Sequence, residues 1–143
     1  MRNPAILYPL FALAAWTLIV LVLIPIARVR SVRQREIATD DFKYGESPKV
    51  PGKVAIPNRN YMNLLELPML FYVVGILLYI TGGSSHVVVA IAWAFVALRL
   101  VHSTIHLTYN HVLHRLAAFT LSNFALVLLW VLAALHLAAN PLA

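Results

Sequence analysis

Four long apolar segments alternate with polar stretches along the chain. They cover about residues 5–27, 60–81, 86–109 and 116–139. Each is long enough to cross a hydrocarbon core, which takes about 20 residues of α-helix. Helices are required there because an unpaired backbone group in lipid costs several kcal/mol. The pattern predicts an all-α membrane protein, with residues 1–143 forming a single transmembrane domain of four helices.

The composition agrees with membrane insertion. Hydrophobic residues make up 62% of the chain and charged residues 11%, whereas a soluble domain is about one quarter charged. The first apolar run exceeds the core of a secretory leader, about 7–15 residues, so we expect it to be a retained span. There is no cysteine, which excludes a disulfide framework, a thiolate metal site and a protein thiol nucleophile. We predict no metal site, and any sulfur chemistry has to come from a bound substrate.

Most basic residues lie between the first two apolar segments. Eight of the 11 lysines and arginines fall within residues 28–59, which also contain three prolines and are predicted to form an extended loop. The net charge is +6, but a mixed basic loop beside helix ends is typical of a cytoplasmic face that touches anionic headgroups. We therefore expect membrane lipids and no nucleic acid as partners. Residues 110–115 are also basic, so the first and third loops are predicted to be cytoplasmic and both termini outside.

Polar residues interrupt the second apolar segment at helical spacing. Arg59, Asn63 and Glu66 stand at i, i+4 and i+7, so they share one helix face, with Glu66 deepest. Pro68 has no backbone N–H to donate, and we expect the helix to bend just beyond the glutamate. The segment therefore presents a charged stripe that points away from lipid.

The third apolar segment carries a second polar stripe. Arg99, His102, His106 and Asn110 stand at i, i+3, i+7 and i+11. A charged side chain at a helix centre costs about 2.5–3.5 kcal/mol on insertion scales. Glu66 and Arg99 are therefore expected to face each other or a polar cavity open to the cytoplasm. A simple ion pair between them is the plainer alternative, but it leaves the two histidines unexplained.

These residues resemble the MAPEG family, the membrane-associated proteins in eicosanoid and glutathione metabolism. The resemblance rests on the run from Arg59 to Pro68, on the run from Arg99 to His106, and on Arg115. It covers nearly the whole chain and is closest to small bacterial members, so we expect a bacterial inner membrane. It implies a left-handed four-helix bundle assembled as a homotrimer.

The resemblance also implies a glutathione site at each subunit boundary. Glutathione would be the co-substrate, beside a groove for a small apolar second substrate. Arg115 matches the catalytic arginine that stabilises the thiolate. The glutathione-binding positions correspond to residues of the first three helices: Arg59, Asn63 and Glu66 in the second, Arg99, His102 and His106 in the third, and Arg28 or Arg30 in the first, with Tyr109 as a further candidate.

Two functions stay open from the sequence. One is a glutathione-dependent transferase or peroxidase that acts on apolar electrophiles or lipid hydroperoxides. The other is a non-catalytic binder of lipid, quinone or protein with the MAPEG fold, which is favoured by His106 standing where catalytic relatives place a tyrosine. Haem ligation by His102 and His106 is disfavoured, because histidines at i and i+4 approach the same side of a porphyrin.

Overall fold

The computed structural model describes residues 3–140, and its regular structure there is helical. Short 3₁₀ turns cover Pro4–Ile6 and Thr39–Phe42, and the α-helices are α1 Leu7–Arg33, α2 Gly52–Leu65, α3 Leu67–Thr81, α4 His86–Leu107 and α5 Val112–Ala139. Helices α2 and α3 together form one membrane-length segment. The described part of the chain thus contains four segments long and apolar enough to cross a membrane. The predicted all-α fold class is confirmed.

The helices reach further into the first loop than the apolar pattern predicts. Helix α1 continues past Ala27 to Arg33, and α2 begins at Gly52, so residues 34–51 connect them instead of 28–59. Pro51 caps the start of α2, while Pro57 lies inside it and does not end it. Hydropathy finds only the part of a helix that lies in hydrocarbon, and these polar helical turns extend beyond it.

The second span is broken at the glutamate itself. Glu66 has ψ −94° and separates α2 from α3. Pro68, two residues further along, causes the break. It has no N–H to donate to the carbonyl four residues before it, and its ring would clash with that carbonyl in a continuous helix. One hydrogen bond spans the break: Met69 N donates to Glu66 O at 3.2 Å.

Packing of the four spans places α4 at the centre. It packs most extensively on α5 and also contacts α1 and α2, while α1 packs on α2 and α3 on α5. At the middle of the bundle the rings of Phe71 and Phe95 stack with centroids 4.4 Å apart. Helix α3 approaches α1 closely at Gly75, where a Cβ would lie 2.7 Å from Leu10 Cδ1. This arrangement brings the polar stripe of α2 beside that of α4.

Candidate functional site

A recess opens between α2, α4 and the start of α5, at the end of the bundle that carries the basic loops. Its volume is about 470 Å³, and its walls are Ile56, Arg59, Asn63, His102, His106, Asn110, Val112, Arg115, Leu116 and Phe119. Small-molecule sites usually have volumes of about 300–1,000 Å³. The formal charges on the lining come from two arginines, and none of the lining residues is acidic. A cleft lined by one sign of charge attracts the opposite sign, so the recess suits an anionic ligand.

Two buried histidines form the inner wall of this recess. His102 is 4% exposed and His106 6% exposed. His102 Nδ1 lies 3.0 Å from the carbonyl oxygen of Arg115, so this nitrogen carries the hydrogen and donates it. His102 Nε2 and His106 Nδ1 are buried without a hydrogen-bond partner within residues 3–140. Because buried polar atoms are nearly always paired, these two ring nitrogens are available to a ligand or a proton.

Arg115 is held at the mouth by the turn between α4 and α5. Its Nη1 donates to Asn110 Oδ1 at 2.6 Å. Asn110 adopts a left-handed backbone, with φ 48°, which asparagine tolerates better than most residues. Its own N–H donates to Ile105 O at 2.7 Å and closes α4. The turn therefore fixes the position of one guanidinium, while Arg59 faces the recess from α2.

The two charges expected to face each other do not meet in the single chain. Glu66 is exposed at the helix break, whereas Arg99 is 1% exposed, and no ion pair joins them within residues 3–140. Arg99 Nη2 donates instead to Asn123 Oδ1 at 2.9 Å. Its guanidinium carbon lies 5.3 Å from the ring centroid of Phe95 and 4.9 Å from that of Phe119, within cation–π range. Arg99 therefore lies behind the recess, against Phe119, which lines it.

Three other predicted site residues lie away from the recess. The guanidinium carbon of Arg28 lies 4.8 Å from the ring centroid of Phe42, and its Nη2 lies 3.6 Å from Glu46 Oε1. Arg30 lines a different cleft at the end of α1. The hydroxyl of Tyr109 is 3.2 Å from His114 Nδ1 on the outer surface. Within one chain, none of the three contributes to the recess.

A buried polar cluster lies behind the recess, and the helical spacing of the two polar stripes does not predict it. Ser103 Oγ accepts hydrogen bonds from Asn60 Nδ2 at 2.6 Å and from Trp16 Nε1 at 2.8 Å. Ser103 and Asn60 are both fully buried. The cluster joins α1, α2 and α4. Asn60 directly follows Arg59 in sequence, and Ser103 directly follows His102. It therefore holds the two walls of the recess in register.

The MAPEG family model matches residues 6–135. The chain belongs to the MAPEG family. The match extends from the start of the first span into the last turns of α5, so it includes every residue that lines the recess. Membership makes this an integral, multi-pass membrane protein of a family associated with glutathione and eicosanoid metabolism. No curated protein and no solved structure gave a match.

Proposed function

We propose that this MAPEG protein is a glutathione-dependent transferase or peroxidase that acts on apolar electrophiles or lipid hydroperoxides in the bilayer. The observation that carries the proposal is the recess, where Arg59 and Arg115 accompany two buried ring nitrogens that have no hydrogen-bond partner among residues 3–140. Glutathione has two carboxylates, and the planar fork of an arginine binds a carboxylate through two parallel hydrogen bonds. The donors, the charge and the volume of the recess all fit this tripeptide.

The recess also has the charge needed to ionise a thiol. Glutathione supplies a nucleophilic sulfur when it is bound. A thiol with a pKa of about 8.5 must lose about two units to be mostly ionised at neutral pH, which is worth roughly 2.7 kcal/mol. One guanidinium about 4 Å away contributes about 4 kcal/mol at an effective dielectric of 20. Arg115 alone would therefore be sufficient, and His106, whose buried Nδ1 has no hydrogen-bond partner within residues 3–140, would accept the proton.

An exposed glutamate in a membrane span supports assembly with further copies. A carboxylate that faces lipid is costly, and a charge at a helix centre costs about 2.5–3.5 kcal/mol. A homotrimer would relieve this cost by covering Glu66 at a subunit boundary. In that assembly Glu66 completes the glutathione site, and an arginine of α1 from the neighbouring copy, Arg28 or Arg30, contributes to it.

Thermal unfolding with and without glutathione tests the proposal. A ligand that binds only the folded state at 100 times its Kd adds about 2.7 kcal/mol, so millimolar glutathione should raise the Tm by several degrees. Arg115→Ala should lower the rate of conjugation of glutathione to chlorodinitrobenzene by about tenfold or more, equivalent to about 1.4 kcal/mol. Lys49→Ala removes the same charge from the exposed loop and is the matched control. An unaltered rate in Arg115→Ala would remove this residue from the mechanism.

One observation favours the non-catalytic alternative. A second groove of about 490 Å³ lies between α3 and α5, and its walls are almost wholly apolar, namely Leu67, Leu70, Asn123, Leu126, Val127, Trp130, Val131 and Ala134. The indole Nε1 of Trp130 is buried without a partner in the described residues, so the groove suits an apolar molecule that carries one acceptor. A Tm raised by a lipid or a quinone but not by glutathione would favour this alternative.

A further inference from the structure

Two clefts meet at the loop end of α1, apart from the recess. The first has a volume of about 460 Å³ between α1 and α2 and is lined by Leu23, Ile26, Ala27, Arg30, Ser31, Gln34, Glu36, Lys53, Val54, Pro57 and Leu107. The second, of about 550 Å³, runs along another side of α1 and is lined by Pro25, Ile26, Val29, Arg30, Arg33 and Gln34. Both clefts therefore share Ile26, Arg30 and Gln34.

The depth of these clefts matches the edge of the bilayer. Helix α1 has 27 residues, about 40 Å at about 1.5 Å per residue, against a hydrocarbon core of about 30 Å. The uncharged part of the helix ends at Ala27, so Arg30 lies about 5 Å further along the axis. That is the level of lipid phosphates, while Leu23 lies at the level of the acyl chains.

The lining residues of the two clefts carry a net positive charge, because Arg30, Arg33 and Lys53 stand against one carboxylate, that of Glu36. Arg30 and Arg33 form no ion pair within residues 3–140. The carboxylate of Glu36 already has partners: Oε1 lies 2.7 Å from Lys53 Nζ, and Oε2 accepts from Ser31 Oγ at 2.8 Å. The excess of positive charge therefore attracts an anion to these clefts.

We propose that the loop end of α1 binds one anionic glycerophospholipid. Its phosphate lies on Arg30, with Arg33 and Gln34 beside it, and one acyl chain follows each cleft. An arginine fork suits a phosphate, and the apolar walls below it suit the chains. A zwitterionic lipid lacks the net charge, and a free phosphate lacks the chains. Within one chain the site lies apart from the recess, and it requires that Arg28, not Arg30, is the arginine that α1 contributes to the proposed glutathione site.

Native mass spectrometry of the purified protein tests this assignment in the absence of glutathione. The protein is equilibrated with equal amounts of phosphatidylglycerol and phosphatidylcholine that have the same acyl chains. We expect one phosphatidylglycerol per chain to be retained preferentially. Arg30→Ala should weaken its retention about fivefold, the effect of one basic residue near an anionic surface. Lys49→Ala, which lines neither cleft, should leave retention unchanged.

A second pair of variants leaves every charge in place. It distinguishes a cleft that fits the lipid from non-specific electrostatic attraction of anionic lipids. Ala27→Trp fills the first cleft and should also reduce retention, whereas Val22→Trp adds the same ring at an exposed position of α1 outside both clefts and should not. Equal retention of the two lipids would overturn the proposal, as would equal losses in Ala27→Trp and Val22→Trp. Displacement of the lipid by millimolar inorganic phosphate would also overturn it, because the site would then recognise the free anion.

Discussion

Replacing Ser103 with alanine should loosen the contact between three helices. Ser103 Oγ accepts the Nδ2–H of Asn60 at 2.6 Å and the Nε1–H of Trp16 at 2.8 Å. The substitution removes only the oxygen, so it leaves almost no cavity. Its main effect is that two donors on two other helices lose their acceptor at once.

The expected loss follows from the environment of the two bonds. A hydrogen bond between membrane helices is worth about 0.6 kcal/mol on average and at most about 1.7, whereas a buried donor left unpaired costs about 1–3 kcal/mol. For two such donors we expect a total loss of about 1–3 kcal/mol in the free energy of unfolding. Ser122→Ala is the matched control, because Ser122 is equally buried but, within the described part of the chain, its hydroxyl donates to Phe119 O of its own helix, at 2.7 Å, and to no other helix. Its effect should be close to zero, since alanine favours the helix.

The assay is reversible unfolding in mixed micelles by titration with sodium dodecyl sulfate, followed by circular dichroism. A double-mutant cycle that combines Ser103→Ala with Trp16→Phe measures the energy that the two residues share. We expect the double variant to lose less than the sum of the single losses. The reasoning is refuted if Ser103→Ala is as mild as Ser122→Ala, or if the two single effects simply add.

Two further outcomes follow from the described contacts. Asn123→Leu removes the acceptor of the buried Arg99 and should cost about 1.5–3 kcal/mol in the same titration, the usual value of a hydrogen bond to a charged group; an unchanged midpoint would contradict it. The hydrogen bond from Lys53 lowers the pKa of Glu36 below its ordinary value, so this contact stabilises the fold above the ordinary pKa and is lost as the pH falls through the lowered one. Lys53→Gln should return the pKa of Glu36 toward its ordinary value in a carboxyl-resolved NMR titration, and an unshifted titration would show that Lys53 is not the cause.

The fold class is predictable from hydropathy because only helices with internally paired backbones can cross lipid. The helix ends are less predictable, since polar turns such as 28–33 and 52–59 leave the bilayer without leaving the helix. The proline at 57 illustrates the limit, because it looks like a loop residue in sequence yet lies inside α2.

Part of the recess is predictable for a geometric reason. Helical spacing places Arg59 and Asn63 on one stripe and His102 and His106 on another, and neighbouring helices bring such stripes together. The partner of Arg99 is not predictable in this way. Asn123 is one of several uncharged polar residues in a mainly apolar helix, beside Thr120 and Ser122. Only the packing of α5 on α4 reveals its role.

Water access to the recess is the most direct test, and the absence of cysteine from the chain allows one introduced thiol to report on one position. Leu116 lines the recess and Val101 does not, although their exposed fractions in the single chain are similar, 55% and 50%. In nanodiscs, a membrane-impermeant methanethiosulfonate should label Leu116→Cys quickly and Val101→Cys hardly at all, and S-methylglutathione should slow the labelling of Leu116→Cys. If both thiols stay unlabelled, or if the glutathione analogue changes nothing, the recess is not a water-filled glutathione site.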